Sequence, residues 1–205
     1  MRCRFCHNPE FVLPERVAEW KDDAIPVGVF LRFLDSRKGF LDGVVVCGGE
    51  PTLHGDLPEL LKEIKARGFL VKLDTNGSRP EMVRAVIESG LVDYFAMDVK
   101  HSSAKYERLC GPGASFEKTI ESARIVIESG VDHEFRTTVA KGEHEFSDIE
   151  EIARALMGAR RYFLQNYRPG GVLDRAFHGA SFTAEELALF AARAREFVPT
   201  VKIRP

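Results

Sequence analysis

Short apolar runs rich in β-branched residues recur along this chain, and each is followed by a longer stretch whose apolar positions repeat with helical spacing. The strand-type runs lie at 43–47, 69–74, 94–98, 134–139 and 162–166, and the helical patterns at 26–36, 57–66, 80–88, 116–128, 148–156 and 183–197. Regular alternation of this kind leaves few folds open. Each helix serves as a crossover between parallel strands, which predicts a sheet with helices outside it, either doubly wound or a complete or partial β/α barrel. In both, ligands collect at the C-terminal ends of the strands. Local signals agree: Pro80 falls in a first turn, Ser78 and Ser147 read as N-caps, and Gly68, Gly90 and Gly130 sit just past helix ends. The pentapeptide Val-Ile-Glu-Ser-Gly occurs at 86–90 and again at 126–130, as if one βα unit echoed another.

At 205 residues with 44% hydrophobic composition, a single core-bearing domain spanning 1–205 is expected. With 29 Lys and Arg against 31 Asp and Glu the net charge is -2, so no global positive field draws nucleic acid or an anionic membrane. No apolar run approaches the roughly 20 residues of a spanning helix and no apolar leader follows Met1, so a cytoplasmic protein is expected.

Several strand ends carry residues that a purely structural parallel strand would not, since such strands are normally apolar on both faces. The first runs through Cys47 into Gly48, Gly49, Glu50 and Pro51, where two glycines admit a ligand close to the backbone and a carboxylate can accept from an ammonium. Asp74, Thr75 and Asn76 end the second strand. Period-two alternation places Asp98 and Lys100 on one face at the end of the third, and Glu134, Arg136 and Thr138 on one face of the fourth. Gln165 extends the pattern to the fifth strand. Each has a structural explanation as a turn or an ion bridge, but their shared position points to a ligand site.

Cys3 and Cys6 form a Cys-x-x-Cys pair at the start of the chain. Such a pair is compatible with half a zinc site, a redox dithiol or part of an iron-sulfur site. A thioredoxin-type motif would follow a strand and open a helix, whereas Pro9 and Pro14 stand close behind this pair. Cys47 and Cys110 are not spaced as a second zinc-binding pair, and both are expected to be small, partly buried packing residues.

Taken together, these motifs resemble the radical S-adenosylmethionine superfamily, whose signature is Cys-x-x-x-Cys-x-aromatic-Cys followed by a Gly-Gly-Glu-Pro strand end. Cys3, Phe5 and Cys6 match its second cysteine, aromatic and third cysteine. The runs Cys6-His7-Asn8-Pro9-Glu10, Asp74-Thr75-Asn76-Gly77 and Asp98-Val99-Lys100 look like those of glycyl-radical-enzyme activases, and Leu164 to Pro169 fits the activators of anaerobic ribonucleoside-triphosphate reductase. Pyruvate formate-lyase activase is the near relative.

The resemblance implies a partial six-unit β/α barrel, a 4Fe-4S cluster on cysteine thiolates, and reductive cleavage of S-adenosylmethionine to a radical that abstracts hydrogen from a glycine of a partner enzyme. It implies Cys3 and Cys6 as cluster ligands and Phe5 near the adenine through its backbone. Gly48, Gly49 and Glu50 would receive the methionyl amino group. Asp74, Thr75 and Asp98 would lie beside the methionyl carboxylate, where the pyruvate formate-lyase relative binds a monovalent cation, and Asn76 would be a further cofactor-binding residue. Lys100 and Arg136 would neutralise carboxylate or bond the ribose, with Gln165 nearby, and His7 would tune the cluster or cap a helix entry. A glycyl radical enzyme, an interface around the strand ends and a flavodoxin-like or ferredoxin-like reductant are the implied partners.

One departure stands out. The family's first cysteine lies four residues before the second, which here falls upstream of Met1. The expectation is therefore an N-terminally truncated chain that lacks one cluster ligand and the first barrel strand, leaving an exposed sheet edge, and that is inactive in this form. Substitution by Cys47 would break the site's geometry. Two alternatives follow: a small-molecule radical enzyme such as a 7-carboxy-7-deazaguanine synthase, and a non-catalytic metal-binding protein in which the pair holds zinc.

Overall fold

The computed structural model describes residues 1–19 and 23–204. Six parallel strands form one sheet in chain order: β1 (Gly43–Val46), β2 (Leu70–Thr75), β3 (Tyr94–Asp98), β4 (Asp132–Val139), β5 (Tyr162–Asn166) and β6 (Val201–Arg204). Between and around them run α1 (Pro14–Glu19), α2 (Val27–Asp35), α3 (Leu57–Ala66), α4 (Pro80–Glu88), α5 (Ser103–Cys110), α6 (Phe116–Ser129), α7 (Phe146–Ala155) and α8 (Ala184–Ala194). Because strand order equals chain order, every crossover advances the same way, and with the usual right-handed connection the crossover helices share one face. This is the expected α/β partial barrel, open between β1 and β6. The outer edge of β1 has no partner among the described residues, and Val45 there is 54% exposed, as expected of an open sheet edge.

Strand alternation sorts the residues by face. Val71, Leu73, Phe95, Met97, Phe135 and Leu164 are wholly buried beneath the helices, each such side chain contributing about 1.5–3 kcal/mol of burial. The other face presents Lys72, Asp74, Asp98, Glu134, Arg136 and Arg204. Register aligns them: Asp74 opposes Ala96, Ala96 opposes Glu134, and Asp98 opposes Arg136. A smaller apolar cluster of Cys3, Phe5, Tyr106, Cys110, Tyr167 and Phe177 lies under the rim.

The repeated pentapeptides close α4 and α6, which pack against each other, and each ends in a glycine with positive φ, 63° at Gly90 and 72° at Gly130. The expected caps are corrected. Arg79, not Ser78, precedes α4, and the Ser78 amide instead donates to Asn76 Oδ1 at 2.9 Å. Ser147 lies inside α7, where the Glu145 amide donates to the Asp148 carboxylate at 2.9 Å. β6, α1 and α5 are elements beyond those read from the pattern.

Candidate functional site

A cavity of about 420 Å³ opens at the C-terminal ends of β1 to β4. It gathers Cys3, Phe5 and Cys6 from the N-terminal loop, Gly48, Gly49 and Glu50 after β1, Asp74, Thr75 and Asn76 at β2, Asp98 and Lys100 at β3, and Arg136 and Thr138 on β4. Of the residues expected at the site, Gln165 alone does not line this cavity. It lies on β5 opposite Thr138 and Arg204.

Glu50 is 6% exposed and ties two strand ends together. Its Oε1 accepts from the Thr52 amide at 3.1 Å, the Thr52 hydroxyl at 2.5 Å and the Thr75 hydroxyl at 2.6 Å, while Oε2 accepts from the Asn76 amide at 2.7 Å. A buried carboxylate needs its oxygens met by donors in this way. Only Oε2 retains capacity for a ligand donor. Thr52 is a member of this site that the motif reading missed; its proximity depends on how the turn after β1 folds back. Gly49 is needed for close approach, since a Cβ there would lie 2.4 Å from the Phe11 carbonyl oxygen.

Charges on the open face are interlocked. Arg136 donates from Nε to Asp98 at 2.7 Å and from a terminal nitrogen to Asp74 at 2.9 Å, so its guanidinium bridges the carboxylates expected beside a monovalent cation. Lys100 reaches the other Asp98 oxygen at 2.8 Å, and Lys72 lies 2.8 Å from Asp74. Although burial pushes Asp98 up, the Lys100 and Arg136 cations hold its carboxyl below the usual range. Burial opposes the charge on Lys100 and Arg136, yet the carboxylates raise both above their ordinary values. Deeper in the trough, Glu134 accepts both Arg204 nitrogens at 2.9 and 2.8 Å and the Tyr94 hydroxyl at 2.9 Å. Arg204 stacks on the Phe163 ring, 3.7 Å from its centroid.

Behind Lys100 sits a buried histidine pair. His144 donates from Nε2 to the Lys100 carbonyl at 3.0 Å and accepts the Ala140 amide at Nδ1, which fixes it neutral, and it stacks on His101 at 4.3 Å between centroids. Burial, reinforced by His101, pushes His144 down to about 4.

Three cysteines line the cavity, Cys3 and Cys6 from the N-terminal loop and Cys47 after β1. Cys3 is buried against Cys110, and that neighbouring thiol together with the Lys100 charge pulls Cys3 below the ordinary thiol range against the opposing effect of burial. Burial pushes Cys6 up. The Cys3 and Cys6 thiols suit two corners of an iron-sulfur cluster. Among the described residues no three His, Cys, Asp or Glu side chains lie together as a metal site. Cys47 lines the cavity but is exposed, and Cys110 is fully buried against Cys3, which corrects the expectation of two partly buried packing residues. Nor does His7 cap a helix, for its Nε2 lies 2.8 Å from the Arg168 carbonyl. No helix among the described residues is long and apolar enough to cross a membrane.

Comparison with known proteins places this geometry. The Radical SAM superfamily model matches residues 1–156. Over its whole length the chain is 31% identical to a Methanocaldococcus jannaschii protein named as a glycyl-radical enzyme activating enzyme, covering 84% of that relative. It is also 28% identical to the 7-carboxy-7-deazaguanine synthase of Thermococcus kodakarensis, over 82% of this chain and 71% of that enzyme. In fold it resembles a domain of the pyruvate-formate lyase-activating enzyme of Bacteroides vulgatus, with TM-score 0.65 and 21% identity over 80% of this chain and 99% of that domain. Streptococcus suis SuiB bound to S-adenosylmethionine aligns with TM-score 0.70 and 16% identity over 89% of this chain and 44% of SuiB. The chain belongs to the radical SAM superfamily.

Proposed function

We propose that this single radical SAM domain is a glycyl-radical-enzyme activating enzyme whose partner is anaerobic ribonucleoside-triphosphate reductase. The observation that carries the reading is convergence: the cysteine loop, the Gly-Gly-Glu turn, the Asp74 strand end and the Asp98–Lys100–Arg136 group all line one cavity. Superfamily membership implies a 4Fe-4S cluster and S-adenosylmethionine. Bound there, the cluster supplies the electron that cleaves the sulfonium.

In this reading Cys3 and Cys6 ligate the cluster. Gly48, Gly49 and the free capacity of Glu50 Oε2 take the methionyl ammonium, and Lys100 with Arg136 faces its carboxylate. Thr75 and Asn76 hold Glu50 in place. The backbone at Phe5 meets the adenine, while its ring packs away from the cavity against Tyr167 and Phe177. A flavodoxin-like or ferredoxin-like protein delivers the electron, and a glycine-bearing loop of the partner docks at the rim.

The test is anaerobic reconstitution with iron and sulfide, then reduction with S-adenosylmethionine and the purified reductase. Cys3 and Cys6 supply two of the three thiolates such a cluster takes, so the chain is tested with a cysteine restored four residues before Cys3; that protein is expected to be brown and to give 5'-deoxyadenosine and a glycyl radical by electron paramagnetic resonance. The likeness to the T. kodakarensis enzyme favours a second reading, in which 7-carboxy-7-deazaguanine forms from its small-molecule precursor and no protein radical appears. Stoichiometric zinc without a chromophore would identify a non-catalytic metal-binding protein.

A further inference from the structure

The run Leu164 to Pro169 opens a loop, residues 167–182, between β5 and α8. Its base is stapled. Asn166 donates to the Phe182 carbonyl at 2.8 Å and accepts the Phe182 amide at 3.0 Å, and the Ser181 hydroxyl donates to the Tyr167 carbonyl at 2.7 Å. Lys141 and Ala180 exchange both backbone hydrogen bonds, at 2.8 and 3.2 Å. So secured, the loop reaches across to the N-terminal cysteines.

There the Leu173 amide donates to the Cys6 carbonyl at 2.8 Å and the Asp174 amide to the Arg4 carbonyl at 2.9 Å. The Arg4 guanidinium donates to Asp174 Oδ2 at 2.7 Å, and Phe5 is buried between Tyr167 and Phe177. On its other side the same segment is tied to the end of α5, with the Arg2 amide donating to the Cys110 carbonyl at 2.7 Å and the Arg4 amide to that of Leu109 at 2.9 Å. The cysteine segment has no regular structure of its own. Its position is set from both flanks, by α5 and by the loop.

We propose that residues 167–182 are a brace that orders the cysteine segment before any metal arrives, with Asp174 as its positioning residue. A ligand loop already held in place spares metal binding the cost of ordering it. Asp174 suits the part because one residue acts twice, through its amide on the Arg4 carbonyl and through its carboxylate on the Arg4 side chain. That the ordered cysteines then take a cluster rests on the function proposed above; the brace itself does not.

The experiment uses the metal-free protein, reading hydrogen exchange at the Leu173 and Asp174 amides and the alkylation rate of Cys6 by iodoacetamide. Asp174→Ala should speed both by about fivefold, the effect of losing a partly buried ion pair and the hydrogen bonds its carboxylate accepts. Asp174→Glu should restore most of the protection, and Arg175→Ala in the same loop should change neither rate. Arg4→Gln removes the pair from its other end, so it serves if Asp174→Ala fails to fold, and in the double variant the two effects should not add. Wild-type rates in both Asp174→Ala and Arg4→Gln would overturn the brace. Iron and sulfide are then added anaerobically, and the cluster absorption is followed as a chelator bleaches it, faster in Asp174→Ala. If the amide and alkylation rates respond but wild type takes up no iron, the brace stands and the cluster reading falls. If iron is held and the rates are indifferent to Asp174, the reverse is true.

Discussion

Asp98 and Arg136 stand directly opposite each other on β3 and β4, and the guanidinium that meets Asp98 at 2.7 Å continues to Asp74 at 2.9 Å. Arg136 is thus the shared counter-ion of two carboxylates on neighbouring strands. Arg136→Ala leaves both facing one another with only Lys100 and Lys72 to balance them. The variant should lose about 3 kcal/mol of stability, as when one partner of a largely buried ion group is removed. Arg136→Lys, a point charge on a shorter reach, should recover part of that. Urea unfolding of the three proteins checks the order; equal midpoints would show the bridge to be idle.

Stability should also fall in mild acid on account of His144. Its unfolded value is about 6.5 and its folded value about 4, so between these limits the unfolded chain binds the extra proton. Above pH 6.5 the residue costs nothing. As pH drops from 6.5 toward 4 the protein should lose on the order of 3 kcal/mol, and His144→Asn should flatten this slope, leaving the share of its stacked neighbour His101, which burial also lowers. Asp98 and Asp148, held low in the folded state, contribute stability above pH ~4 that is lost as pH falls through their folded values. Unfolding midpoints at half-unit pH steps give both slopes.

Gly49→Ala should separate binding from folding. The added methyl meets the Phe11 carbonyl oxygen at 2.4 Å, so the turn after β1 and the 9–11 turn must part. S-adenosylmethionine affinity of the reconstituted protein should drop by about tenfold or more, since positioned contacts worth about 1.4 kcal/mol are lost. Calorimetric titration reads the affinity; unchanged binding would place the methionyl group elsewhere.

Glu50→Gln replaces an acceptor-only group by one that presents N–H to donors. Four donor contacts converge on the carboxylate, and one amide oxygen cannot satisfy them all. A loss of about 2 kcal/mol is expected, with faster hydrogen exchange at the Asn76 amide.

How far the sequence disclosed this molecule depends on the kind of interaction. Strands β1 to β5 were legible as short stretches rich in β-branched and aromatic residues that end in polar ones, and Asp98 and Arg136 because each sits in period-two alternation on its strand. β6 was not: Val-Lys-Ile-Arg is four residues long, half of it charged, and becomes a strand by pairing with β5. α5 buries only Tyr106, Leu109 and Cys110, too thin a stripe to announce a helix. The Glu50 clamp was half visible, since Thr75 lies in a motif whereas Thr52 joins it through a fold-back of the turn. The brace was invisible, because Leu173 and Asp174 act through backbone groups some 170 residues from the cysteines, as the Arg4–Asp174 separation shows.

Among the described residues the sheet is open between β1 and β6. A closed tube of eight strands is filled by its own side chains or holds one small guest, and a polypeptide could reach its middle only by threading an end. Here the charged face is a trough. A bend in the middle of a long chain can be laid into it broadside and lifted out again, with both ends of that chain still anchored in a folded body.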